Sequence, residues 1–552
     1  MEIPLTPLEF VRRTRALYGD REAVVDYGEG PLFPADERRG DAGAGHGTDG
    51  RLDKPRILRL TYSELFDRTD RWSAALQRLG VRAGDRVAYI APNTHAQLES
   101  FYAVPQMGAV LVPINYRLTP DDFAYIIAHS GATVVCAHTD YLDAVDHIRS
   151  QAAGVKHFVT LEGVREGWQD YEALVSAAPS HFDRPPIAET DLLTINYTSG
   201  TTSRPKGVMI THRNAYMNVI GTLLHMPMTM AERYLWTLPM FHANGWTFPW
   251  SVTAAGGTHV CLRKVDPAGI FGLIQRESIT MLCAAPTVLI SIASAPAEVR
   301  ANARRGLRVV TAGAPPAAAT IERIEGELGW SITHVYGLTE TAPFISVCEA
   351  RPEHAGMASS ERAILKARQG VELLTSGDLR VLDAQGNDVP RDGRTVGEIV
   401  VRGNVVMKGY YDDPEATEQA LAGGYFHSGD AAVVHADGYA EIRDRLKDVI
   451  ISGGENISSV EVEGVFLRHR AVQEVAVVGM PDAKWGEAPH AFVVLKPGET
   501  ATEDELRAFA RERLAHFKCP QSVTFVAELP KTATGKIQKF VLRGRRTAIS
   551  AQ

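Results

Sequence analysis

The sequence predicts an α/β protein: a large amino-terminal region of mixed sheets flanked by helices, a small β unit after it, and a smaller α+β region at the carboxyl end. Three observations predict this. Up to about residue 377, short β-branched runs alternate with helical segments, as in parallel sheet with crossover helices. Beyond that point come short strands broken by Gly, Asp and Asn turns, which read as antiparallel sheet. The tail mixes both textures over about a hundred residues, enough to fold as a unit. The boundary of that tail falls near "RDRLKD", residues 443–448. With 552 residues the chain exceeds one core and predicts roughly three to four structural units.

The elements follow in order. Residues 28–56, from Gly28 to Arg56, are rich in Gly, Asp and Arg and poor in branched apolar residues, and read as an exposed, mobile insertion. Order resumes at "LRLTYSELFDRTDRWSAALQRLG", a short strand and an amphipathic helix with Thr61 or Ser63 as N-cap and Gly80 as terminator. "DRVAYIAPN" is a strand, "HAQLESFYAVPQMG" a helix, "AVLVPIN" a strand, "TPDDFAYIIAHSG" a helix and "ATVVCAH" a strand. The strand pattern returns in "ERYLWTLPM", "GGTHVCL", "ITMLCAAP" and "LRVVTAG". "DLRVLDAQGNDVP", "GEIVVRGN" and "FHSGDAAVVHADGYAEIRDR" make the small β unit. The tail alternates strands such as "VQEVAVVGMPD" and "HAFVVLKPG" with helices such as "TEDELRAFARERLAHFK". No short-period repeat argues for a solenoid.

Composition excludes several classes. Hydrophobic residues make up 45% and charged residues 22%, normal for a soluble globular chain. A formal net charge of -8 argues against a basic nucleic-acid clamp. The five cysteines are scattered, with no CxxC pair, so free thiols in a reducing compartment fit better than disulfides or a zinc site. No signal-peptide h-region and no run of ~18 apolar residues is present, and "TAISAQ" is not a peroxisomal tripeptide, so a cytoplasmic protein without a membrane span is expected.

"YTSGTTSRPKGV", residues 197–208, follows the apolar run Leu192-Leu193-Thr194-Ile195 and crowds small donors together. Backbone N–H groups of a Gly-rich turn, hydroxyls and the Lys206 charge could cradle phosphates. The spacing is not that of a Walker A loop, and a plain polar loop remains open on this stretch alone. Six further segments follow: "FHANGW" (241–246), "TAGAPP" (311–316), "YGLTET" (336–341), "HSGD" (427–430), "DRLKDVIISGGENIS" (444–458) and "PKTATGKIQK" (530–539). In content and order the set resembles the signature motifs of the adenylate-forming superfamily, the acyl-CoA synthetases, luciferases and adenylation domains. The resemblance spans most of the chain.

The resemblance implies an acyl-CoA synthetase, an AMP-forming acid–thiol ligase using ATP, Mg²⁺ and CoA. A hydrophobic carboxylic acid, medium to long or bulky by the resemblance of Trp246 to a long-chain gating residue and with aryl acids open, would be activated as its acyl-adenylate and passed to CoA, releasing AMP and pyrophosphate. No protein nucleophile is needed, since positioning and charge neutralisation carry such a reaction, and no GxSxG elbow is present. By resemblance, Thr198, Ser199, Gly200, Thr201, Thr202 and Lys206 would hold the β- and γ-phosphates. Glu340 would ligate Mg²⁺ with Thr198 nearby, hard oxygen donors that suit the ion. Thr339 would contact the α-phosphate. Tyr336 would stack on adenine beside Gly337 and the backbone of Gly313, Ala314 and Pro315. Asp430 would accept from the ribose hydroxyls, and Arg445 would reach ribose or phosphates. Lys536 would counter the charge that builds between acyl carboxylate and α-phosphate.

His242, Trp246, Gly313 and Val335 would line the acyl side, with His242 also close to the chemistry. The 241–246 segment holds no acidic residue to pair with a substrate ammonium, which argues against amino-acid substrates. Lys447 sits at the family's hinge, dividing the chain into an ATP- and acyl-binding domain, 1–446, and a mobile domain, 447–552. After adenylation Gly453 and Gly454 would approach the pantetheine arm, where glycine permits close backbone contact. The pattern departs from the family at Ser203, usually Gly, and at His427 and Ser428, usually Arg and Thr. Two other readings stand beside the CoA ligase: a free-standing ligase loading a separate carrier protein, and a catalytically silent nucleotide-binding regulator. A homodimer stays open.

Overall fold

The computed structural model describes residues 2–28, 57–198, 204–301, 303–452, 455–482, 484–531 and 537–549. The expected insertion, Gly28 apart, lies outside them. The chain folds as two compact units. The first comprises 1–194, 227–283 and 295–307, the second 195–226, 284–294 and 308–552.

The first unit builds two groups of parallel strands. In one, Arg86–Ile90 lies between Val110–Ile114 and Ala132–Ala137, and His157–Thr160 continues the group outward. All five residues of Val110–Ile114 are buried, as expected of a strand covered on both faces. In the other, Glu22–Tyr27, Thr258–Cys261, Arg233–Trp236 and the start of Met281–Ala284 run parallel, with Ile57–Thr61 added antiparallel to Glu22–Tyr27.

The helices begin where their caps dictate. Thr61 accepts from the Glu64 N–H and Glu64 answers with its carboxylate, closing a capping box on Tyr62–Arg78. Thr119 and Asp122 repeat the device on Pro120–Ser130, with Pro120 at the first helical position and Gly131 ending the helix in the left-handed region. Thr94 caps His95–Ala103, all nine residues of which are buried.

The second unit contains the parallel pair Arg308–Thr311 and Ser331–Gly337, extended antiparallel by Phe344–Val347 and Val371–Glu372. A four-stranded antiparallel sheet follows, ordered Asp378–Leu382, Gly397–Arg402, Phe426–Val434, Ala440–Arg445. This is the expected small β unit. Lys206–Thr211 pairs antiparallel with Gly409–Tyr410. In the tail, Val472–Asp482 and Gly486–Leu495 form a long hairpin that Ser522–Phe525 joins in parallel. Val462, Phe466 and Leu506 pack against one face, beside Val475, Val477 and Val493. Leu529 and Leu542 cover the other, against Ala476, Val478 and Phe492.

Candidate active site

Two loops meet at the carboxyl edge of the parallel pair in the second unit. Gly313, Ala314 and Pro315 follow Arg308–Thr311, while Val335, Tyr336 and Gly337 close the neighbouring strand Ser331–Gly337 and lead to Thr339 and Glu340 in a short helix. Such an edge is where open α/β sheets collect ligand-binding loops. Glycine is required here. Gly313 holds φ +93°, and a Cβ on Gly337 would lie 1.8 Å from the Pro343 carbonyl oxygen.

The antiparallel sheet supplies the next residues. Asp430 and Arg445 are direct cross-strand partners. The Arg445 Nε lies 2.9 Å from Asp430 Oδ1, and the Tyr336 hydroxyl donates to Asp430 Oδ2 at 2.6 Å. Asp430 is 4% exposed, so its charge depends on these partners. Burial and then Asp430 push the Tyr336 phenol well above its ordinary pKa, so it remains a donor. Arg445 also donates to the Ser428 carbonyl at 2.9 Å. The two donors leave lone pairs on both carboxylate oxygens for further bonds.

The turn before Asp430 shows what the two departures do. Ser428 Oγ donates to the Ile399 carbonyl at 2.6 Å and accepts from the Asp430 N–H at 3.1 Å. His427 Nδ1 lies 2.8 Å from Glu398 Oε2, and Glu398 Oε1 accepts from the Gly429 N–H at 2.9 Å. His427 and Ser428 thus brace the "SGD" turn from both sides.

A second group surrounds Glu340. The Tyr410 hydroxyl donates to Glu340 Oε1 at 3.0 Å, and Lys206 Nζ sits 4.9 Å from the Tyr410 ring centroid. Lys206 also lies 3.7 Å from Asp413 Oδ2. Tyr410 and Asp413 carry no motif signal that sequence reasoning could have used. Thr198 ends the strand Leu192–Thr198, and Lys206 begins Lys206–Thr211. Ser199, Gly200, Thr201, Thr202 and Ser203 between them lie outside the described residues, as do Gly453, Gly454 and Lys536.

The segments around Lys447 and Lys539 are anchored by charge. Lys447 is exposed, and the partial desolvation of its ammonium lowers its pKa. Next to it, Asp448 Oδ1 accepts from Arg543 at 2.7 Å. Lys539 pairs with Glu463 at 2.8 Å and donates to Ser459, whose N–H donates to Asp444 Oδ2 at 2.9 Å. Sequence reasoning missed this network, whose partners come from separated segments.

His242 and Trp246 belong to the first unit. Trp246 is buried, and His242 is partly so. Between and beyond them the backbone is left-handed at Ala243, Asn244, Gly245, Trp246 and Thr247, with φ from +44° to +66°. Four of the five are not glycine, so the turn stores strain of the kind found at functional sites. Asn244 Nδ2 donates to Thr194 Oγ1 at 3.0 Å and helps to hold it.

Asp26, His95 and Glu162, also in the first unit, bring ligating atoms within 4.8 Å of one another. Arg263 already bridges Asp26 at 3.3 Å and Glu162 at 2.5 Å, and His95 Nδ1 lies 2.6 Å from Asp26. With a guanidinium and an imidazole in place, the cluster is a compensated ion-pair network rather than a cation site. Among the described residues no helix is long and apolar enough to cross a membrane.

The family described as "AMP-binding enzyme" matches residues 45–411, and "AMP-binding enzyme C-terminal domain" matches residues 461–536. The chain is similar to 4-hydroxybutyrate--CoA ligase 2 of Metallosphaera sedula, 41% identical over 99% of this chain and 95% of that protein. It is similar to the peroxisomal acetate/butyrate--CoA ligase AAE7 of Arabidopsis thaliana, 40% identical over 98% of this chain and 94% of that protein. Among solved structures, the anthranilate CoA ligase AuaEII in complex with anthranoyl-AMP superposes with a TM-score of 0.85 at 26% identity, covering 100% of each chain.

Proposed function

Because the chain belongs to the AMP-binding enzyme family, we propose that the Tyr336–Asp430–Arg445 group and the Glu340–Tyr410–Lys206 group together hold ATP for attack by a carboxylate. The chain is an AMP-forming acid–thiol ligase: carboxylate, ATP and CoA give acyl-CoA, AMP and pyrophosphate. The observation that carries the site reading is the buried Asp430 carboxylate, fixed by Tyr336 and Arg445 beside the strand-end loop that bears Thr339 and Glu340. A buried carboxylate with spare lone pairs suits the ribose diol.

In this reading the Gly313–Pro315 backbone and Tyr336 flank adenine, with Gly337 allowing close passage. Thr198 through Lys206 bind the outer phosphates and Thr339 the α-phosphate. Glu340 and Thr198, a carboxylate and a hydroxyl, fit Mg²⁺ and would hold it; bound there, the ion neutralises phosphate charge. Lys536 meets the acyl carboxylate and α-phosphate, then leaves as the region from 447 turns at Lys447 and brings Gly453 and Gly454 toward CoA. His242, Trp246 and Val335 face the acyl group.

The acid has an uncharged tail, since residues 241–250 contain no charged side chain other than His242. Short aliphatic acids stand first, because the relatives from Metallosphaera sedula and Arabidopsis thaliana are named for such acids. Aryl acids follow, given the anthranilate ligase structure. The test is pyrophosphate release across aliphatic, aryl and polycyclic acids, with CoA and with a phosphopantetheinylated carrier as acceptor. CoA-dependent turnover is expected; turnover with the carrier alone, or ATP binding without turnover on any acid, would refute it. Mg²⁺ use, homodimerisation and a cytoplasmic location belong to the same proposal and are read by metal titration, light scattering and fractionation.

A further inference from the structure

Glu340 has three side-chain torsions, and leaving them unrestrained costs conformational entropy when a ligand must fix them. One short segment removes that freedom. The Met407 N–H donates to the Glu340 carbonyl at 2.8 Å, and the Tyr410 hydroxyl donates to Glu340 Oε1 at 3.0 Å. The same segment holds Lys206. Its Nζ lies 4.9 Å from the Tyr410 ring centroid and 3.7 Å from Asp413 Oδ2.

The segment is itself fixed. Tyr410 pairs with Val208 in register, and the Tyr411 N–H donates to the Gly207 carbonyl at 2.7 Å. The Tyr410 N–H donates to Thr417 Oγ1 at 2.9 Å. Asp413 caps the helix Pro414–Ala420, accepting from the Ala416 N–H through Oδ1 at 3.0 Å, which leaves Oδ2 toward Lys206. A tyrosine has few torsions to freeze and offers a hydroxyl and a π face at once.

We propose that residues 407–413 are a positioning clip, in which the Tyr410 hydroxyl sets the Glu340 carboxylate and the Tyr410 ring, with Asp413, sets the Lys206 ammonium. The clip rests on the ATP-binding reading above. One hydroxyl on Oε1 leaves the remaining lone pairs of the carboxylate for a metal ion. Partners of this outer kind typically alter metal affinity by about 10–100-fold when removed.

The two halves separate by substitution. Tyr410→Phe deletes the hydroxyl and keeps the ring; Tyr410→Leu deletes both. The full chain is titrated with Mg²⁺ while ATP binding is followed by calorimetry, and kcat and KM for ATP are measured alongside. Tyr410→Phe should raise the Mg²⁺ midpoint about tenfold and leave ATP affinity at saturating Mg²⁺ within about threefold. Tyr410→Leu should also weaken ATP binding at saturating Mg²⁺, more steeply as salt rises. A role confined to packing would lower the melting temperature and leave the Mg²⁺ midpoint in place, and that result overturns the clip. If Tyr410→Leu does not fold, Tyr410→Phe still decides. Wild-type ATP binding that ignores Mg²⁺ and the Glu340→Gln control alike overturns the site reading and the clip with it.

Discussion

The Tyr336 phenol and the Asp430 carboxylate, 94 residues apart in the chain, meet in a 2.6 Å hydrogen bond. It joins the end of a parallel strand to the middle of an antiparallel one. Arg445 completes the arrangement at 2.9 Å on the other carboxylate oxygen. The pairing fixes a buried negative charge beside the Thr339–Glu340 helix.

Removing the phenol oxygen should loosen that carboxylate without moving the ring. A hydrogen bond to a charged group contributes about 1.5–3 kcal/mol. Tyr336→Phe is expected to raise the KM for ATP about tenfold, with kcat changed much less. Steady-state kinetics in ATP at saturating acid and CoA checks this. A selective fall in kcat would place Tyr336 in the chemical step instead.

Lys536 is expected to act in only one half-reaction. Lys536→Ala should slow acid-dependent pyrophosphate release by about 10²-fold or more, the scale of a lost electrostatic contact to a transition state. Thioester formation from supplied acyl-adenylate and CoA should stay within a few-fold of wild type. Equal damage to both half-reactions contradicts the role.

The left-handed turn at 243–247 makes a prediction about strain. Asn244 sits at φ +57°, is 3% exposed and bonds Thr194. Alanine there loses the hydrogen bond and tolerates the backbone less well, so Asn244→Ala should cost about 2 kcal/mol in urea unfolding. Asn244→Gly loses the same bond and relieves the backbone, so it should cost less. Glycine proving the more damaging would remove strain as the explanation.

His95 and Asp26 make a prediction about pH. Burial opposes charge on both. For His95 the hydrogen bonds to Asp26 and Glu172 outweigh it and raise the pKa from 6.5 to about 10. For Asp26 its partners His95 and Arg263 lower the pKa from 3.8 to about 2. The sign follows: the His95 contribution is complete below pH 6.5 and fades as pH climbs through 10, while that of Asp26 is complete above pH 3.8 and fades as pH falls through 2. His95→Gln should cost about 3 kcal/mol at neutral pH, the scale of breaking a buried pair, and flatten the loss of stability toward alkaline pH. Urea midpoints at several pH values test it; a parallel decline in both proteins would show that other groups govern the alkaline limb.

Local chemistry made much of the fold legible. Thr61 with Glu64 and Thr119 with Asp122 are capping boxes written within four residues, and both form. The strand runs from Arg86 to Ala137 announce themselves by β-branched composition and pair in parallel. The adenylate-forming motifs, each a short contiguous string, sufficed to identify the family. What escaped were contacts whose partners have no fixed spacing. Tyr410 is 70 residues from Glu340, Lys539 is 80 from Ser459, and the left-handed turn at 243–247 has one glycine in five residues to signal it.

The sequence by itself therefore determined the α/β class, the family, the type of reaction and the residues that touch nucleotide in the proposal, because turns, caps and binding loops are encoded over a few neighbouring positions. Only the tertiary structure decided how those residues are held: that Tyr336 and Arg445 lock Asp430, that His427 and Ser428 brace the turn before it, and that Tyr410 ties Glu340 to Lys206. The physical reason is that a buried charge or a positioned carboxylate draws its stability from groups brought close by strand register and packing, and that proximity exists only once the chain has folded.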